Sequence, residues 1–395
     1  MKKNINADKI PKMKIPSKSK KYSLRTKIIR RIEKIHMDEW NKVSHAPVEG
    51  GYSFLKTLDE CHLGQFSLYY ILVYKGKCLV GTAPCFTMNY PLDTSVRGPL
   101  FILLNSVKKI FPNIFSIKAC VCGIPTGPGH IGIADDPQLI LEAVLRRMEQ
   151  IARKNHIHTL AFKDFSRSYE GLLDPLKKEK FLKIDSLPMT ELPLDFSSFD
   201  DYMKILSGAT RYDLRRKFKK ASTAKIDLSI LPSLDDEALD EAYCLYLEVV
   251  RAHEIIFEVL PKDFFKLIPR NLPGKTKFFL WRMDGKLVAF SFCLVSGEIL
   301  HDYFVGLDYT WAYSHHLYFV KFKEVMEWCI AHGIKRYDMD RTGYEPKRRL
   351  GFNFMPLYLY VKIRHKILRP FFNGLCAFLK FENFDPELKR WKNQN

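Results

Sequence analysis

Two stretches of this 395-residue chain carry residue types suited to moving protons. His301 and Asp302 open the run HDYF, and Asp338 and Asp340 stand two apart in RYDMD. An imidazole titrates near neutrality and takes a proton from a nucleophile. Two carboxylates on one face bind a cationic amine and, with one pKa raised, accept its proton. Strand alternation over 334–340 would put Asp338 and Asp340 on the same face. Asp340 then ends its strand before Arg341-Thr342-Gly343, where a carboxylate projects into a cleft or caps a turn, while Asp338 is also placed to pair with Arg336 or Arg341. The run Lys347-Arg348-Arg349 supplies fixed charge to an anion or forms a solvated loop. In TRYDLRRKFKKAS, residues 210–222, Arg211, Arg215, Arg216, Lys219 and Lys220 line one side of a helix that Tyr212, Leu214 and Phe218 help to pack. That side either contacts an anion near a cleft or faces solvent.

Other motifs carry less. GIPTGPGHIG at 123–132 has glycines enough for an anion nest but no following Lys-Ser/Thr, so it is not a P-loop. His315-His316, even with His301, makes no zinc ligand set, and H-E-x-x-H is absent, so no metal is expected. No Ser/His/Asp order emerges that would mark a hydrolase.

The elements that must hold these residues repeat. FSLYYILVYKGKCLVGTAPCFTMNY, residues 66–90, reads as a hairpin turning at Lys75-Gly76-Lys77. Residues 277–307 read as three adjacent strands turning at Asp284-Gly285 and Ser296-Gly297. YKGKCLVGTAPCF at 74–86 resembles RMDGKLVAFSFCL at 282–294, and each hairpin set is followed by a helix and a strand: 139–155 then HIHTLAFKDF, and 317–333 then IKRYDMD. A duplicated mixed α/β unit follows, the first copy carrying a long insertion with CVCGIPTGPGH at 120–130. The expected division is a basic N-terminal arm at 1–49, a first domain at 50–200, a second at 201–360 that carries the donor site, and a basic amphipathic tail at 361–395.

Composition agrees with a folded, divided chain: 47% hydrophobic, 13% aromatic, with 20 Gly and 21 Pro. The net charge of +19 is concentrated at the ends. Residues 1–34 hold 13 Lys/Arg and two acids, residues 361–395 eight and three, so the middle is nearly balanced. Basic arms suit RNA or an anionic membrane, whereas a balanced middle argues against a DNA-binding fold. Nine cysteines without a C-x-x-C pair read as reduced thiols. The lysine-rich start lacks the apolar core of a secretory signal, and no apolar run reaches 18 residues. The expected setting is cytoplasmic, and ILRPFFNGLCAFLKF at 367–381 has two readings, a segment lying against an anionic membrane surface or a terminal helix docked on the domain.

Three ordered stretches, TRYDLRRKFKKA, WRMDGKLVAFSFCLVSGEILHDYFVGLD and RYDMDRTGYEPKRRLGF, resemble the GNAT-like acyltransferase superfamily, and within it the branch of duplicated Fem-like peptidyltransferases and related N-acyltransferases. The resemblance covers roughly residues 50–360. It implies an α/β fold of tandem acyl-CoA N-acyltransferase-like domains, each a central mixed sheet flanked by helices. It further implies an N-acyltransferase moving an acyl group from acyl-CoA to a small-molecule or peptide amine by direct attack. The chemical needs are a free amine, a held thioester and donors facing the oxyanion. On that reading Asp340, His301 and Asp338 are candidate bases, and Tyr344 gives a proton to the leaving thiolate. Phe304 and Val305, Ser314 at the start of the following helix, Lys347 and Arg348 would hold the donor, and Arg211, Arg215 and Arg216 the acceptor or an anion. The loop LDYTWAYSHH lacks the Gly-rich form of simple acetyltransferases. Two alternatives stand beside this: a Fem-like enzyme drawing on aminoacyl-tRNA, and a non-catalytic adaptor binding RNA or membrane.

Overall fold

Gly76, at φ +62°, turns β2 (Phe66–Lys75) into β3 (Cys78–Pro91), and Asp284 and Gly285, both at positive φ, turn β9 (Thr276–Met283) into β10 (Lys286–Ser296). The computed structural model describes residues 24–91, 116–252, 257–365, 369 and 385–394. The arm before residue 24 and the expected membrane-contact segment, apart from residue 369, lie outside the described residues. From Leu24 onward the expected arm is folded: β1 (Leu24–Ile29) pairs with β2, and Trp40, on α1 (Met37–Ser44), is fully buried.

The remaining strands are β4 (Ser116–Cys122), β5 (Gly132–Ile133), β6 (Thr159–Ser166), β7 (Leu182–Pro193), β8 (Ile226–Leu231), β11 (Ile299–Leu307), β12 (Arg336–Asp338) and β13 (Asn353–Ile363). With β5 on a side branch, all join one sheet in the order β1-β2-β3-β4-β6-β13-β7-β12-β11-β10-β9-β8. Each half is an antiparallel meander closed by one parallel pair, β4 with β6 and β11 with β12. The last strand of each half then crosses over. β13, from the end of the chain, lies against β6, while β7 lies against β12. The two crossed strands pair with each other from Asn353↔Glu191 to Val361↔Leu182, so neither half completes its sheet alone.

Helices cover both faces. They are α2 (Tyr52–Glu60), α3 (Pro137–Lys154), α4 (Phe199–Ile205), α5 (Gly208–Ala221), α6 (Asp236–Ala252), α7 (Lys262–Asn271), α8 (Leu317–Ala331), α9 (Tyr344–Arg349) and α10 (Pro386–Gln394). Asp136 and Ser207 cap α3 and α5 through their side chains, each accepting from backbone N–H groups of the first turn. The halves also meet through α2 and α7: the Phe54 and Phe264 rings pack edge-to-face at 6.0 Å, and Asn271 donates to Thr57 and Glu60. Among the described residues no helix is long and apolar enough to cross a membrane.

Candidate functional site

The parallel pair β11–β12 is short. Ile299, Leu300 and His301 pair with Arg336, Tyr337 and Asp338, after which β12 ends and β11 runs on to Leu307 without a partner on that side. A fork therefore opens beside His301, and the β10–β11 register slips there, leaving Tyr303 as the extra residue between Asp302 and Phe304. The first half has the matching fork beyond the β4–β6 pairs, but its own Gly/Pro loop fills it. Gly129 donates its N–H to Asp164 O at 2.9 Å, and a Cβ there would stand 2.3 Å from Lys163 O and 2.5 Å from the Phe165 ring. The loop at 123–132 is thus a plug made possible by glycine, and it presents no anion nest: the Lys163 ammonium already faces the carbonyls of Ile124 and Gly127.

At the open fork His301 is 7% exposed, and its Nδ1 lies 2.9 Å from Asp338 Oδ2. Donation of Nδ1–H to that carboxylate fixes the tautomer and leaves Nε2 as the acceptor, and Nε2 is buried with no partner. Burial alone would lower the imidazole pKa. The Asp338 hydrogen bond and the charges of Glu49, Asp338 and Asp340 outweigh it and hold the group above its ordinary value. The His301 ring stacks on Tyr303 at 5.6 Å, and the Tyr303 hydroxyl donates to Glu49 Oε1. Glu49 comes from the short turn before α2, so the first half reaches into the second half's fork. From β7, Glu191 also faces the pair; burial raises its pKa, as does Asp338, against Arg336 and His301.

The expected strand over 334–340 stops at Asp338, and Asp340 is left-handed at φ +50°, so the two aspartates do not alternate along one strand. Instead Asp340 N–H donates to Asp338 Oδ1, an Asx-type turn. Thr190 of β7 bonds the Asp340 carbonyl through both N–H and hydroxyl, and Lys347 Nζ donates to the carbonyls of Met339, Asp340 and Arg341. Burial lowers Lys347 to about 8. This lysine therefore ties down the turn and does not face a donor phosphate. Burial raises Asp340, with Asp338 and Glu49 pushing the same way against Arg341 and Lys347.

Beyond the turn lies a second cluster that spans the halves. Arg341 donates to Asp164 Oδ2 at 2.7 Å, Lys163 pairs with the same carboxylate, and Ser186 donates to its other oxygen. Burial would raise Asp164, yet the two cations hold it well below the ordinary carboxylate range. Glu258, near both cations and near Asp340 and Asp164, is pushed up to about 7 by burial against the pull of Lys163 and Arg341.

Other expected residues are spent inside the fold. Asp302 is buried among Lys321, Tyr337 and Ser291, each donating to it, so its carboxylate is a core ion-pair member. The Tyr344 hydroxyl donates to Pro188 O at 3.0 Å and its ring packs on Phe354, so no proton is offered at the fork. Arg348 pairs with Glu387 of α10. Phe304 and Val305 lie on the unpartnered stretch of β11, where the Phe304 ring joins Tyr246, Phe264 and Phe265.

The helix expected to start near Ser314 starts at Leu317; the exposed Ser314 hydroxyl donates to the Trp311 carbonyl. His316, left-handed at φ +53°, precedes α8 without any side-chain cap, and the charges nearest it are Lys217, Lys220, Arg216 and Asp213. On α5, Arg211 donates to Leu206 O, Arg216 pairs with Asp213, and Arg215 is exposed.

Sequence reasoning missed Glu49, Lys163, Asp164, Tyr303, Glu191 and Glu258. Lys163-Asp164 did carry a signal, a charge pair inside the apolar strand LAFKDF. Glu49 and Glu258 are single acids in unremarkable runs, and only the fold brings them to the fork.

Comparison with known proteins agrees with this architecture. Residues 208–348 match the family model of the acetyltransferase (GNAT) domain. Solved structures resemble the chain along most of its length. FemX has a TM-score of 0.52 at 12% identity, covering 85% of this chain and 96% of its own. The tandem GNAT protein from the clavulanic acid biosynthesis pathway scores 0.54 at 11%, covering 87% and 99%. L-PGS from Bacillus licheniformis scores 0.51 at 10%, covering 87% and 95%. A curated relative, the putative 8-amino-7-oxononanoate synthase 2 of Mycobacterium tuberculosis, is 22% identical over 326 residues, 80% of this chain. The chain spans 42% of that relative's length. Residues 208–348 thus carry the match to a GNAT domain, and the chain as a whole shares the fold of FemX and of a tandem GNAT protein.

Proposed function

We propose that the protein is an N-acyltransferase that moves an acyl group from an acyl-CoA thioester to an amine, with His301 as general base and Asp338 as its orienting partner. The observation that carries this reading is the unpartnered, buried Nε2 of His301 at the open fork, with the opposite ring nitrogen held by a carboxylate. A base so held keeps one tautomer and one direction, which general-base catalysis requires. The acyl thioester would lie along residues 302–307 of β11, whose edge toward β12 lacks a strand partner. Its phosphates would meet the uncapped N-terminus of α8, flanked by Lys217, Lys220 and Arg216. The plugged fork of the first half leaves that half to shape the acceptor side. Attack of the amine forms the C–N bond and breaks the C–S bond. His301 takes one proton from the ammonium form of the acceptor, freeing the amine to attack, and the second proton that the nitrogen loses leaves on the sulfur as thiol.

The test is thiol release from a panel of acyl-CoAs in the presence of mixed amines, with calorimetric titration of each donor. Binding of at least one acyl-CoA and thiol release that disappears in His301→Gln is the expected outcome. Binding and consumption of a charged tRNA with no acyl-CoA bound would move the reaction to aminoacyl transfer. Failure of every donor would leave the fold as a binding scaffold.

A further inference from the structure

Two buried side-chain atoms at the fork have no hydrogen-bond partner, Nε2 of His301 and Oε2 of Glu49. Glu49 is 1% exposed, and its other oxygen accepts from the Tyr303 hydroxyl, whose ring stacks on His301. Among the described residues no Lys or Arg pairs with Glu49, and the cations nearby pair with other groups, although Arg341 Nε keeps no hydrogen-bond partner. Lys163 and Arg341 pair with Asp164, and Lys347 is held by three backbone carbonyls. Burial lowers His301 and raises Tyr303, and the carboxylates that remain, Glu49, Asp338 and Asp340, push both groups upward. A carboxylate buried without its cation costs several kcal/mol unless something supplies the missing charge. The loop residue Gly127 presses on the Glu49 stem, since a Cβ there would meet Glu49 Cγ at 3.0 Å, so the carboxylate is held in place by packing.

We infer that Glu49 is the residue that selects the acceptor, binding it as a primary ammonium from the first half while His301 of the second half removes its proton. This rests on the acyl-transfer reading above and goes further in naming the charge state and the recognising side chain. The acceptor arrives as R–NH3+, with one N–H donated to Glu49 Oε2. His301 Nε2 takes one proton, leaving R–NH2 to attack the acyl carbon. A second amine proton leaves with the sulfur as thiol, and His301 returns its proton to solvent, so the sum is amide, free thiol and one proton. A neutral alcohol lacks the charge that Glu49 calls for, and an anionic nucleophile meets three carboxylates.

The experiment uses the full chain with whichever acyl-CoA supports turnover, and as probes 1,5-diaminopentane, Nα-acetyl-lysine amide, 1,5-pentanediol and 6-hydroxyhexanoate. Both amines should release thiol, and the diol and the hydroxy acid should not; which amine has the lower KM tells a free diamine from a lysine side chain. Glu49→Gln should raise the amine KM by about 10- to 100-fold with a smaller change in kcat, as loss of a charge-assisted contact demands, while the dissociation constant for CoA stays put. Equal turnover of the diol or the hydroxy acid, or an unchanged amine KM in Glu49→Gln, overturns the inference and leaves acyl transfer standing. Absence of any thiol release or CoA binding in the unaltered protein overturns the acyl-transfer reading itself. Should Glu49→Gln not fold, Tyr303→Phe, which releases Glu49 Oε1, should raise the amine KM severalfold, and the acceptor panel on the unaltered protein decides the matter alone.

Discussion

Replacing Glu258 by Gln is expected to make the protein more stable at pH 8 and to leave it unchanged near pH 4. In the folded chain Glu258 holds its proton up to about pH 7, whereas an unburied glutamate loses it near 4.5. Burial is the main cause, and Asp340 and Asp164 add to it, against Lys163 and Arg341. The folded pKa is raised, so the stabilisation is fully present below the unfolded value and is lost as pH rises through the folded one. Between 4.5 and 7 the native state keeps a proton that the unfolded chain has released. At about 1.4 kcal/mol for each pKa unit the full difference is roughly 3 kcal/mol. Glu258 keeps some contact with solvent, and about 2 kcal/mol is the expected size. Gln has the same shape and no charge to bury, so the difference between variant and parent should grow from near zero at pH 4 to about 2 kcal/mol in favour of the variant at pH 8. Urea unfolding at four or five pH values, followed by tryptophan fluorescence, measures this directly. A difference that is flat with pH, or a variant less stable at pH 8, would refute the reasoning that Arg341 and Lys163 only partly offset the burial of this carboxylate.

Three further outcomes follow from the site. Asp338→Asn removes the hydrogen bond and the charge that raise His301, so kcat should fall about 100- to 10,000-fold. The acidic limb of its pH–rate profile, set in the parent above the ordinary imidazole range, should move to lower pH. Gly129→Ala should cost about 1–3 kcal/mol in chemical unfolding, since its methyl has no room beside Lys163 O, and Gly171→Ala, which meets nothing within 4 Å and needs no positive φ, should cost less. Changing Lys217 and Lys220 together to Ala should raise the KM for acyl-CoA by about tenfold at low salt and by less at high salt, read by thiol release.

Much of the architecture was written locally. The turns at Gly76 and Asp284-Gly285, the helices after each meander and the duplication itself depend on near-neighbour rules, namely positive φ at a tight turn, apolar spacing and side-chain caps, and all appear where the pattern puts them. His301 and Asp338 were legible as residues fit for proton transfer. Their partnership was not, because it joins positions 37 apart across a parallel strand pair. Local pattern also misjudged Asp340, Lys347 and Tyr344. Each has a side chain or backbone that could serve a ligand; Asp340 and Lys347 are instead taken up by the turn that ends β12, and Tyr344 by the Pro188 carbonyl of β7.

The sequence by itself determined which residues can form strands, turns and helices, that the unit occurs twice, and that an imidazole and carboxylates stand where the second unit's strands end. Only the tertiary structure decided that β7 and β13 trade places, that a glycine loop closes one fork and leaves the other open, that Glu49 reaches the open one, and that Lys163, Asp164 and Glu258 gather with Arg341 beyond it. The reason is physical: periodicity and turn chemistry act over a few residues, whereas strand exchange and charge burial depend on which distant surfaces meet. The pKa values that give this site its character exist only once those surfaces have excluded water.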